Sequence, residues 1–135
     1  MTTLASWVGV DSRGPTSLYF VSDSRITWFR DPQRKIVDTT WDNGRKTFAS
    51  QTSPVILGYC GDVLLPTQTI GQITALIDTG AVSLDGQNPE DRLHWIISSL
   101  ETSCVTYPNS AGRSFSLVYG GRQGCGMTAT FFAFA

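Results

Sequence analysis

Four short stretches of this chain carry side chains that could do chemistry together. The first is Met1-Thr2-Thr3 at the start. A threonine hydroxyl is a weak nucleophile until a neighbouring base takes its proton, and an α-amine on the same residue can be that base. Such an amine has a pKa of about 7.7–8.0, close to working pH. Thr2 is small, so removal of Met1 is expected to leave its amine free. The other stretches are Ser22-Asp23-Ser24-Arg25-Ile26-Thr27, Gly44-Arg45-Lys46 and Gly58-Tyr59-Cys60-Gly61.

Each has an ordinary reading when taken alone. Thr is a common second residue, Asp23 between serines is a turn former, Lys46 suits a solvated strand, and Gly61 suits a turn. Other groups drop out sooner. Cys60 has no histidine near it in sequence and reads as a small core residue. His94 is the only histidine; it reads as structural and cannot build a histidine-rich metal centre by itself. The glycine-rich run from Gly120 to Gly126 is followed by neither a lysine nor a helix signal, so it reads as a hairpin turn and not a phosphate loop.

The elements that must position these residues follow from periodicity. Thr3 to Val10 is β-branched and aromatic, Asp11 to Pro15 has turn chemistry, and Ser17 to Ser22 resumes, which predicts a hairpin. Ile26 to Phe29 and Ile36 to Trp41 read as extended around the polar loop Asp31 to Lys35. Asp42-Asn43-Gly44 marks a tight turn. Lys46 to Ala49 and Val55 to Cys60 predict a second hairpin. Ile70, Ile73 and Ile77 then fall at helical spacing, predicting a helix over Leu64 to Asp78 with Gly80 beyond its end. Pro89-Glu90-Asp91 opens a second helix, which Leu93, Ile96, Ile97 and Leu100 continue to about Ser103. Ser114 to Tyr119 and Met127 to Ala135 read as strands. Blocks of strands, helices and strands predict an α+β architecture.

Placed in this order on strand, turn, strand and strand-to-helix junction, the four stretches resemble the β-type subunits of the proteasome. They also resemble the peptidase of the bacterial ATP-dependent HslVU protease. The resemblance is carried by residues 2 to 77, and Asp23-Ser24-Arg25-Ile26-Thr27 is its most specific part. It implies one N-terminal-nucleophile hydrolase domain over residues 1–135, the N-terminal part of the usual domain, built as a four-layer αββα sandwich of antiparallel sheets. It implies a threonine-type peptidase that cleaves amide bonds, with Thr2 as nucleophile. Lys46 would lie beside the Thr2 hydroxyl and favour the deprotonated forms. Asp23 would pair with Lys46, and the Gly61 N–H would hold the oxyanion. Thr27 would bind an extended peptide by its backbone, while Ile26, Gly58 and Asp62 would line the pocket for the residue before the cut. The resemblance further implies a peptide or protein substrate, a homo-oligomeric ring, room for an ATPase partner, and no cofactor or metal.

Two departures accompany it. The interval from Asp23 to Lys46 is longer than in typical members, which makes Lys35 a competitor for the lysine role. The family also draws a serine and an aspartate from segments that would follow Ala135. A non-catalytic subunit or interaction module of the same fold is the alternative expectation.

Composition bounds these readings. The chain has 135 residues, 41% hydrophobic and only 16% charged, which predicts a packed body and not a disordered one. Ten basic against eleven acidic residues give no electrostatic reason to expect nucleic acid or an anionic membrane. Three widely spaced cysteines without a CxxC pair predict neither a disulfide framework nor a zinc site, and suit a reducing cytoplasm. The first residues lack a signal peptide's basic and apolar regions, and no apolar run reaches membrane-spanning length.

Overall fold

The first hairpin forms because Asp11 and Gly14 close a turn between two β-branched, aromatic runs. Strand β1 (Leu4–Asp11) pairs antiparallel with β2 (Gly14–Ser22), from Leu4 opposite Ser22 to Asp11 opposite Gly14. A register shift between Gly9 and Val10 marks a bulge. The computed structural model describes residues 3–108 and 114–135.

Strand β3 (Ile26–Asp31) and strand β4 (Ile36–Trp41) form a second, separate two-stranded ribbon. Their pairing is a finding beyond the sequence reading, which left two extended pieces unconnected. A turn over residues 32–35 joins them and sets Lys35 in the left-handed region at φ 53°.

Strands β5 (Thr47–Ala49), β6 (Val55–Gly61), β7 (Phe115–Gln123) and β8 (Thr130–Phe134) make a four-stranded antiparallel sheet in that order. Helices α1 (Leu64–Asp78) and α2 (Pro89–Thr106) connect β6 to β7. The last hairpin differs from expectation. Gly120 and Gly121 belong to β7, and a 3₁₀ turn over Gly126–Thr128 precedes β8. Two glycines within a strand are explained by what lies over them.

Side-chain alternation assigns the two faces of the sheet. Val55, Leu57 and Tyr59 of β6 and Tyr119 of β7 turn to the helices and form the core with Ile70, Ile73 and Ile77 of α1 and Ile96 and Leu100 of α2. A buried isoleucine of this kind contributes about 1.5–3 kcal/mol by leaving water. The intervening residues turn to the β1–β2 hairpin. A Cβ on Gly120 would lie 2.9 Å from Leu18 and Phe20, and one on Gly58 would lie 2.9 Å from Leu4. Only glycine lets the hairpin approach so closely. Asp78, at the end of α1, accepts hydrogen bonds from the Ser50 hydroxyl at 2.5 Å and the Gln51 N–H at 2.8 Å, tying the β5–β6 turn to the helix.

The expected four-layer αββα sandwich is therefore corrected. Among the described residues there are three layers: two helices, the four-stranded sheet and the β1–β2 hairpin. The reason lies in the apolar stripes. Both helices come from one connection, and both stripes dock on the Leu57–Tyr59–Tyr119 face. The outer face of the hairpin, where Trp7 stacks on Tyr19 with ring centroids 5.3 Å apart, stays open to solvent.

Candidate active site

The site begins where the first hairpin ends. One residue past the Leu4–Ser22 pair, the Asp23 N–H donates to the Thr3 carbonyl at 3.1 Å. The Thr3 N–H returns a bond to Asp23 Oδ2 at 2.9 Å. Asp23 thus holds the start of the chain through both its backbone and its carboxylate. Thr2 lies outside the described residues.

From Asp23 the chain leaves on the β3–β4 ribbon and comes back to where it started. Ile26 stands opposite Trp41 at the foot of the ribbon. Below that pair, Arg25 grips Asp42 in a two-bond ion pair at 2.6 and 3.1 Å, and the Gly44 N–H donates to the Ser24 carbonyl at 2.8 Å. The long interval between Asp23 and Lys46 is a closed excursion, so its length does not separate its ends. Lys46 emerges beside Asp23. Lys35 sits at the far tip, on the order of 15–20 Å away by strand rise, and is no competitor.

The Lys46 side chain has no solvent exposure. Its Nζ donates to Asp23 Oδ1 and to the Arg25 carbonyl, the latter at 2.6 Å. A buried ammonium is costly unless an anion and hydrogen-bond acceptors surround it, and both are present here. Burial acts to raise the Asp23 carboxyl, but the hydrogen bonds from Lys46 and the Thr3 N–H, with the charge of Lys46, outweigh it. The net result is a carboxyl held below its ordinary 3.8. The Asp23 carboxyl is therefore ionised at neutral pH, and the Lys46 amine sits beside it next to the first strand.

Gly61 closes β6. Its φ is +113°, and a Cβ there would lie 2.5 Å from the Ser114 carbonyl. A side chain is excluded on both counts. The Tyr59 N–H donates to the Lys46 carbonyl at 3.1 Å. Alternation in an antiparallel ladder directs the Gly61 N–H, two residues on, along the same edge past Lys46. Helix α1 starts three residues later with Val63 at its cap position, which supplies no side-chain acceptor.

The remaining candidates divide. Ile26 is buried under Gly44, and Thr27 is half-buried opposite Thr40 at the ribbon's foot; both follow on Arg25, whose carbonyl Lys46 bonds. Gly58 is covered by Leu4 and Phe20. Asp62 is engaged by Ser114, whose N–H donates to its carboxylate at 2.8 Å while its carbonyl accepts from the Asp62 N–H at 2.9 Å. His94 is exposed on α2, its Nδ1 3.0 Å from the Glu90 carbonyl. Sequence reasoning missed the Thr3 N–H and the Arg25 carbonyl. Both are backbone groups, and no residue type announces them.

Among the described residues no group of three metal-ligating side chains converges, and no helix is long and apolar enough to cross a membrane. Compared with known protein families, curated proteins and solved structures, the chain matches none.

Proposed function

We propose that this chain is an amide-bond hydrolase of the proteasome-like class, using Thr2 as an N-terminal nucleophile. The observation that carries this reading is the Lys46–Asp23 ion pair, its lysine buried and its aspartate bonded to the residue that follows Thr2. Such a pair is weak evidence for stability, and a chemical use is the role we assign it beside Thr3.

In this scheme removal of Met1 frees the Thr2 amine. The amine takes the proton of the Thr2 hydroxyl as the oxygen attacks the substrate carbonyl. The Lys46 ammonium favours the deprotonated hydroxyl and amine, and the Gly61 N–H receives the oxyanion. Collapse expels the amine product with that proton and leaves an ester on Thr2, which water hydrolyses to regenerate the hydroxyl. The Thr27 backbone and Ile26 are the residues retained for substrate; Gly58 and Asp62 are engaged elsewhere. Three free cysteines suit the reducing cytoplasm in which we place the protein.

The test is hydrolysis of fluorogenic peptides by wild type and Thr2→Ala, with mass analysis of the N-terminus. Activity that disappears in Thr2→Ala and accompanies a chain lacking Met1 is the expected result. Full activity with Met1 intact would refute the mechanism. The solvent-exposed apolar ribbon β3–β4 favours a second reading, a non-catalytic subunit, to which an inactive wild type with a free Thr2 amine would point.

A further inference from the structure

The β3–β4 ribbon is built unlike the rest of the chain. Among the described residues it hydrogen-bonds to no other strand, and its two strands touch one another and scarcely anything else. Even so, Trp28, Phe29, Ile36, Val37 and Trp41 are all between 41% and 53% exposed. Cross-strand partners share a face, so Trp28 and Trp41 lie on one face, and Phe29 with Val37 on the other. The bulge between Trp28 and Phe29 preserves this arrangement. A lone two-stranded ribbon is marginal in water, and one with large apolar groups on both faces needs cover on both.

We infer that the β3–β4 ribbon is an assembly arm that packs against a second copy of this chain. Three observations fit that occupant. The arm's charges are internally neutralised: Arg30 bonds Asp38 at 3.3 Å and Arg34 lies 3.6 Å from Asp31. It therefore offers no field to steer a nucleic acid or an anionic surface. The whole chain carries a net charge of −1, so two copies do not repel appreciably. The area also fits. Three half-exposed aromatic and two half-exposed aliphatic side chains leave about 500 Å² over the two faces of one arm, and burial of both faces between interlocked copies removes about 1,000 Å² in all, where specific interfaces begin.

The arm's root holds the Arg25–Asp42 clamp and the Arg25 carbonyl that Lys46 bonds. Seating the arm on a neighbour thus also fixes the ground on which the ion pair stands. The inference does not rest on the hydrolase reading.

The experiment is sedimentation of the full chain over a range of concentrations, with hydrogen exchange of amides 26–41. Wild type is compared with Trp28→Ser/Val37→Ser and with Thr2→Ala. Wild type should associate, protection of the arm should rise with concentration, and the arm variant should associate at least tenfold more weakly while keeping wild-type circular dichroism. Thr2→Ala should associate like wild type, so loss of catalysis and loss of assembly are read separately. A monomeric wild type, or an arm variant that assembles normally, would overturn the inference. So would a monomeric wild type whose arm amides gain protection only on addition of an unfolded polypeptide, which would assign the arm to substrate.

Discussion

Lys46 and Asp23 form the ion pair on which the proposed chemistry turns, and their coupling can be tested without knowing a substrate. Replacing Asp23 by Asn leaves a fully buried ammonium facing a neutral amide. The expected cost is about 1–3 kcal/mol, below the range for a wholly buried pair because the Asp23 side keeps close to a third of its surface in water. Urea unfolding at pH 7 measures it. The pH dependence has a definite sign. The folded carboxyl lies below its ordinary 3.8, so its contribution is complete above the unfolded value of about 3.9 and fades as pH falls through the folded value. Wild type and Asp23→Asn should therefore differ at pH 7, begin to approach each other near the unfolded value, and converge only once pH has fallen below the lowered folded value. Gly61→Ala adds a Cβ 2.5 Å from a backbone carbonyl at φ +113°. Strain of about 1–3 kcal/mol or more should appear as a lowered denaturant midpoint. Asp23 and Lys46 could be named from the sequence because their types and flanking residues are distinctive. The acceptor on Arg25 and the donor on Thr3 could not, since every residue carries those groups.

At the level of elements, sequence periodicity was most reliable where caps and stripes agreed. Helix α1 runs over Leu64–Asp78 as its isoleucine spacing predicts, and α2 begins at Pro89. The start of α2 is secured by Asn88, whose side chain accepts from the Asp91 N–H at 2.8 Å. Asn88→Ala should cost about 1 kcal/mol, a fall in Tm of about 4 °C on a thermal melt. The β3–β4 ribbon was legible as two strands but not as a pair, because neither strand shows the alternation of a half-buried sheet. Shortening it, by replacing residues 29–38 with a tight turn, should leave unfolding free energy within about 0.5 kcal/mol of wild type, since little of the core touches it. A larger loss in equilibrium unfolding would show that the arm supports the body. Gly120 and Gly121 were misplaced into a turn. Glycine punctuates loops in most sequences, and only the approach of Leu18 and Phe20 to Gly120, and of the Pro54 carbonyl and Phe132 to Gly121, shows why a strand contains them here.

For the whole molecule, stability is expected to be uneven. Amides of β6 and β7, between helices and hairpin, should exchange slowest, and amides of the arm fastest in dilute solution. Hydrogen exchange read by mass spectrometry checks that order. Ile96→Ala, at a site with no exposure, should cost about 2–5 kcal/mol, a large share of the roughly 5–15 available to a domain. By itself the sequence determined the helices, most strand boundaries and the residue types of the candidate site, because those depend on local periodicity and side-chain chemistry. Only the tertiary structure decided that both helices cover one face of a single four-stranded sheet, leaving three layers among the described residues. It alone decided that the excursion from Asp23 to Lys46 closes on itself. Layering depends on which apolar stripes find each other, and closure depends on cross-strand pairing; both join residues far apart in the chain.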